Sequence, residues 1–305
     1  MVVPIRDDPE GLSIALAGLA EQSRPPDEVI LVNAGQGALT MAPAPPLEAR
    51  VVGAPRALPG EARNRGAAAA SHPWVAFLDA GTRPVPGWLE AFHGAHSRAP
   101  EAQVLYGTYV PVLQDDWDWA AAAAYLAPTS APERGRHPTS ASLLVERTVW
   151  EALGGMPKDL RAGEDLLFFR EVATRGTPVV VVEEASVRWQ LPRGPLGHFR
   201  RLRRYSQATW PTPLAATWQW PVLRMYAAGA TVVLAAILLQ PLVAWALPAA
   251  ATLRVARNYR RRRFGLSGRL TLARLWRLGT LTLLADAATL LGVWDSLARR
   301  GSIEG

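Results

Sequence analysis

Through the first 190 residues, short runs of consecutive apolar positions alternate with stretches in which apolar residues recur every three or four places. The runs at 2–5, 28–32, 51–52 and 74–78 predict buried strands. Between them, 9–21 carries Leu12, Leu16 and Leu19 on one face, and 60–70 has the same helical period. Arg24-Pro25-Pro26, Gly35 and Gly37 mark the breaks, and the Pro- and Ala-rich stretch 39–49 predicts an irregular connection. Farther on, 103–111, 141–145 and 179–182 read as strands, and 148–153 and 164–175 as helices. Strands alternating with helices predict an α/β fold with a parallel sheet and a ligand site at the strand carboxyl ends.

The pattern changes near residue 199. A basic stretch, Arg200 to Arg204, leads into Trp210, Trp218 and Trp220, which read as an aromatic interface belt. Residues 225–251 are almost wholly apolar, long enough to cross a bilayer at about 20 residues per span. Arginines follow from 254 to 263, then a weaker apolar stretch, 278–294, interrupted by Asp286. Three segments result: an α/β domain at 1–198, an aromatic interface segment at 199–224, and membrane-associated helices at 225–305.

Charge sharpens this division. The chain carries a net +7, yet residues 191–305 hold 17 arginines against Asp286, Asp295 and Glu304, a net +14, which leaves −7 on the first 190. Positive charge beside apolar helices predicts contact with anionic lipid. Two topologies stand open: two crossings, which put the arginine-rich loop outside against the positive-inside tendency, and a one-sided hairpin bent near Gln240-Pro241. The first residues lack a secretory h-region, so the N-terminal domain is expected at the cytoplasmic face of the membrane. The absence of cysteine excludes disulfides and thiolate chemistry. Nucleic acid is not an expected partner, because no recognised motif accompanies the basic residues.

Four segments carry candidate chemistry: 29–35 (Val-Ile-Leu-Val-Asn-Ala-Gly), 60–66 (Gly-Glu-Ala-Arg-Asn-Arg-Gly), 77–82 (Phe-Leu-Asp-Ala-Gly-Thr) with Pro86-Gly87-Trp88-Leu89, and Gly154-Gly155 with Gly163-Glu164-Asp165-Leu166. In this order and spacing they resemble the family 2 glycosyltransferases of the GT-A fold, over roughly residues 1–200. The resemblance implies a Rossmann-like mixed sheet, a nucleotide-diphospho-sugar donor, a divalent Mg²⁺ or Mn²⁺ and inversion at the anomeric carbon. The chemistry agrees: an acceptor hydroxyl needs a carboxylate base, and a departing diphosphate needs positive charge.

Residue by residue, the resemblance makes Asp165, paired with Glu164, the catalytic base. Asp79 starts the Asp-X-Asp motif and holds the metal beside the diphosphate. Asn33, Arg63, Asn64, Pro4 and Arg6 match nucleotide-contacting positions. Two departures weaken metal dependence: Gly81 replaces the second aspartate, and Val187-Arg188-Trp189-Gln190, after which family members often carry a histidine, has none, His198 nearby being a poor fit. Aromatic faces suit sugars, so Trp117, Trp119 and Trp189 are candidate acceptor contacts, although a plain surface loop also accounts for 115–119. The expected function is transfer of a sugar to a lipid-linked or membrane-proximal glycan acceptor. The competing reading is a catalytically inactive relative that binds nucleotide or glycan as a membrane scaffold.

Overall fold

The computed structural model describes residues 1–39, 48–126, 138–238, 240–262 and 269–301. The chain forms two compact units: Met1–Val112 with His137–Gln190, and Leu113–Arg136 with Leu191–Gly305. The division falls at 190 rather than 198, and the acidic-aromatic stretch after 112 joins the C-terminal helices.

The first unit is built on one eight-stranded mixed sheet. In chain order its elements are β1 (Val2–Ile5), α1 (Pro9–Ala20), β2 (Val29–Asn33), β3 (Ala49–Gly53), α2 (Pro59–Ala69), β4 (Trp74–Phe77), β5 (Thr82–Pro84), α3 (Trp88–Arg98) and β6 (Val104–Val112). After α4 of the second unit (Asp116–Ala124) come β7 (Leu143–Glu146), α5 (Arg147–Ala152), α6 (Glu164–Thr174) and β8 (Val179–Gln190). The order is β3-β2-β1-β4-β7-β6-β8-β5. β3, β2, β1 and β4 run parallel, whereas β7 is antiparallel to both β4 and β6. The sheet is therefore mixed, as the resemblance implies, with its parallel strands at one side. The chain leaves β1 to build β2 and β3 on one side and returns to place β4 on the other. That reversal opens a crevice at the strand carboxyl ends.

Both sheet faces are covered. Leu12, Leu16 and Leu19 of α1 and Trp88 and Phe92 of α3 pack with Val3, Ile5 and Leu31. On the opposite face Val2, Ile30 and Phe77 meet Trp150 and Phe168. α2 lies so close to the sheet that a Cβ on Gly66 would meet Val2 Cγ1 at 2.3 Å.

The second unit is helical: α4, α7 (Gly194–Thr209), α8 (Gln219–Leu238), α9 (Ala246–Arg262) and α10 (Leu272–Gly301). α10 is its spine. Leu278 and Leu281 pack against Trp119 and the alanines of α4. Near the other end, Asp295 pairs with Arg203 of α7 at 2.6 Å. Asp115 caps α4 through the amides of Trp117 and Asp118.

Candidate active site

The crevice between β1 and β4 is a cleft of about 330 Å³. Pro4, Ile5, Arg6 and Asp8 line it from β1 and the following turn, Ala34 from the end of β2, Ala57 to Arg63 from α2 and the turn before it, and Asp79 and Ala80 from the end of β4; Arg161 completes the wall. Asp7, at φ 51°, turns the chain out of β1, and Asp8 then caps α1 through the Gly11 amide at 2.8 Å.

Arg63 organises the chemistry. Its guanidinium is 4 % exposed and donates to Asp79 Oδ1 at 2.5 Å and to Glu164 Oε1 at 2.7 Å. Burial opposes its charge, but the two carboxylates outweigh that and raise its pKa above the ordinary arginine value. One cation thus ties the end of β4 to the start of α6, and a buried ion pair broken on one side costs about 3–5 kcal/mol. Asp165 stands beside this pair in the first turn of α6, partly buried. Burial and repulsion from Glu164 push its carboxyl up to about 6, only partly offset by Arg63. That value suits a general base near neutral pH.

The remaining candidates separate. Pro4, Arg6, Arg63 and Asp79 line the cleft. Glu164 and Asp165 are outside that lining. Glu164 is buried and paired with Arg63. Asn64 does not reach the cleft: its amide pairs with the backbone of Met156, accepting at 2.9 Å and donating at 2.7 Å. Gly155, at φ 69°, accommodates this clamp, since a Cβ there would meet Asn64 Oδ1 at 2.3 Å. Asn33 spends its side chain on its own turn, with the Gly35 amide at 3.0 Å and the Gly37 carbonyl at 2.7 Å.

The aromatic candidates also divide. Trp119 is a core residue of the second unit, 3 % exposed and packed near Tyr259, so it offers no face to a sugar. Trp117 lies edge-on to Trp276 under the Arg277 guanidinium. Trp189 stays with the first unit: β8 sets it opposite Thr82, three residues beyond Asp79. Sequence reasoning missed Arg161. Like Arg6 it is exposed and has no ion-pair partner among the described residues. Its signal was its place, three residues before Glu164, in the loop entering α6.

Residues 1–143 match the family model described as Glycosyl transferase family 2. Over these residues, under half of the chain, it is similar to that family. The first unit has the GT-A fold expected from its motifs. No curated protein matches it. Among solved structures it is similar to the mannosyltransferase PcManGT of Pyrobaculum calidifontis in complex with GDP-Man and Mn²⁺, at 18 % identity and a TM-score of 0.54, covering 97 % of this chain and 86 % of that one. It is also similar to S. aureus TarS, at 16 % identity and a TM-score of 0.46, covering 67 % of this chain and spanning 38 % of that one. TarS 1-349 in complex with UDP matches at 16 % identity and a TM-score of 0.47, over 89 % and 93 % of the two chains. At these identities the likeness is one of fold.

The metal that such motifs imply does not fit the residues present. The motif offers one carboxylate, Asp79, and Arg63 already holds one of its oxygens with a full positive charge. Gly81 sits at φ 83°, a backbone conformation that an aspartate adopts only at a cost. No group of three metal-ligating acidic, histidine or cysteine residues forms among the described residues. The end of β8, Val187 to Gln190, carries no histidine.

Proposed function

We propose that this glycosyltransferase moves a sugar, with inversion, from a UDP- or GDP-type donor in the switch-point cleft to a lipid-linked or membrane-proximal glycan at the cytoplasmic face of the membrane. The observation that carries the reading is the Arg63 cluster, which ties the cleft-lining Asp79 to Glu164, the sequence neighbour of the proposed base Asp165. Asp165 takes the proton from the acceptor hydroxyl as its oxygen attacks the anomeric carbon. The bond from that carbon to the diphosphate breaks, and the diphosphate leaves with the electron pair. Arg6 and Arg161, exposed on the cleft wall without carboxylate partners among the described residues, meet its negative charge, and charge stabilisation of this kind lowers the barrier by several kcal/mol. Asp79 orients Arg63 and, through its free oxygen, the donor. Trp189 supplies an apolar face near the acceptor.

A thermal-shift series with UDP- and GDP-sugars identifies the donor, and donor hydrolysis by the wild type and by Asp165→Asn tests the chemistry. Turnover lost in the variant, with the donor still bound, supports transfer. A donor that binds the wild type without any turnover supports the competing scaffold reading, which the single carboxylate at 79 favours.

A further inference from the structure

Residues 225–253 carry no charged side chain and are bracketed by Arg224 and Arg254. The structure folds them back on themselves. α8 runs to Leu238, a 3-10 turn spans Pro241–Trp245, and α9 returns from Ala246. The two arms are antiparallel neighbours: a Cβ on Gly229 of α8 would stand 3.9 Å from Leu247 Cδ2 of α9. Their base is closed by one buried group. Asp286 of α10, 2 % exposed, accepts from Arg254 in a two-pronged pair and from the Tyr226 hydroxyl at 3.1 Å.

Beyond this closure the arms are bare. Only 6 % of the apolar window of α8 is buried, against 44 % for α10. Ile237, Leu238, Leu242, Trp245 and Leu253 are each about 70 % exposed. Water-exposed apolar surface on this scale marks a contact with something apolar. The base is cationic instead: Arg224, Arg257 and Arg260 are exposed there, and Arg261 to Arg263 follow in the sequence.

The uncharged part of α8 alone is short for a crossing. From Arg224 to Leu238 a helix rises only about 21 Å at about 1.5 Å per residue, short of the roughly 30 Å hydrocarbon core. At the start of α8, Gln219 is held within the second unit, its amide on Thr209 and Ser206 of α7. α10 is engaged along one side by α4 and α7.

We propose that 225–253 is a re-entrant hairpin that enters one leaflet of an anionic bilayer, with the arginine collar on headgroup phosphates and the tip at Leu238–Trp245 in the acyl region. The proposal rests on the membrane-attached reading above and gives it a segment, a depth and a lipid charge. The occupant is lipid rather than a second copy, because an apolar tip ringed by like-charged arginines complements phosphates and repels its own image.

The absence of cysteine makes the test direct. Full-length protein is mixed with phosphatidylglycerol-containing phosphatidylcholine vesicles and with pure phosphatidylcholine vesicles, then floated. Binding to the first, weakened roughly 100-fold by Ile237→Glu with Trp245→Glu while donor hydrolysis persists, is the expected result. Gln240→Cys, on otherwise wild-type protein, is expected to resist an impermeant maleimide applied on either side, while Arg257→Cys reacts from the side where the protein was added. Labelling of Gln240→Cys from the far side overturns the one-leaflet insertion. Absence of flotation, or vesicle-free dimers that the glutamate pair dissolves, overturns lipid as the occupant. Donor hydrolysis, measured without vesicles, fails only if the catalytic reading fails.

Discussion

At the scale of single residues, the site turns on how Arg63 shares its charge between Asp79 and Glu164. Asp165 is left with burial and like charge, which hold its carboxyl up to about 6. Two outcomes follow with opposite signs. As a base it acts only when ionised, so kcat/KM is expected to rise with pH through about 6 and level off above 7. For stability, a raised carboxylate pKa favours the fold below the ordinary value near 4 and loses that advantage as pH rises through 6. Asp165→Asn should therefore abolish transfer yet raise Tm at pH 7.5, by an increment on the order of 2 kcal/mol, and the gain should vanish at pH 4. Paired rate and melting series across pH check both limbs; a variant that melts lower at pH 7.5 contradicts the electrostatic account. The second residue-level consequence concerns Asp79. Since Arg63 occupies its Oδ1 and Gly81 offers no partner carboxylate, donor turnover should persist in EDTA and change less than about threefold on adding Mn²⁺. Activity that disappears in chelator and returns with Mn²⁺ would show that the cation finds ligands after all.

At the scale of elements, α2 and α6 reach the site through a clamp distant from the chemistry. Asn64 pairs with both backbone groups of Met156, and Gly155 makes room for it. Gly155→Ala adds a Cβ into the Asn64 amide at a left-handed φ, and Asn64→Ala leaves buried backbone groups unpaired. Each is expected to cost about 2 kcal/mol and to lower kcat more than it raises KM, because α6 then carries Glu164 and Asp165 out of place. Melting curves and Michaelis parameters separate this from a nucleotide contact at Asn64, which would raise KM alone. The motifs that exposed this part of the fold were legible because buried strands leave unbroken apolar runs: β1, β2 and β4 lie within a residue of their expected places. Elements whose signal is packing were not. The alanines of α4 are buried but carry no helical period, and the acidic residues before them looked like a surface loop. β8 was cut at 182 because Glu183 and Glu184, both exposed, interrupt its apolar run; the irregular register opposite Tyr106 and Thr108 absorbs them. β5 is three residues ending in proline and has no pattern to show. The site followed the same rule. Asp79, Arg63 and Asp165 were legible from motif spacing, whereas the ion-pair partnership that binds the first two, and the role of Arg161, exist only in three dimensions.

At the scale of the whole chain, charge and apolarity are distributed so that the proposed membrane binding and the proposed catalysis should answer to different conditions. Residues 191–305 carry a net +14 and the preceding 190 a net −7. The arginines around the hairpin base are exposed, and each is worth about 1 kcal/mol against an anionic surface at moderate salt. The tip contributes through buried apolar area, which salt does not screen. The active-site ion pairs lie largely out of solvent, where screening is weak. Raising NaCl from 0.05 to 1 M shortens the Debye length from more than 10 Å to about 3 Å, so affinity for anionic vesicles should fall steeply and then level off at the affinity measured for phosphatidylcholine alone. Donor hydrolysis in the same samples should change little. Co-sedimentation and hydrolysis read along one salt series check the two together. A plateau above the phosphatidylcholine value would mean that specific headgroup contacts, not the arginine collar acting as a diffuse charge, hold the protein down. A hydrolysis rate that fell in parallel with binding would mean that the Arg63 cluster is open to solvent, and the raised carboxyl of Asp165 would then need another cause.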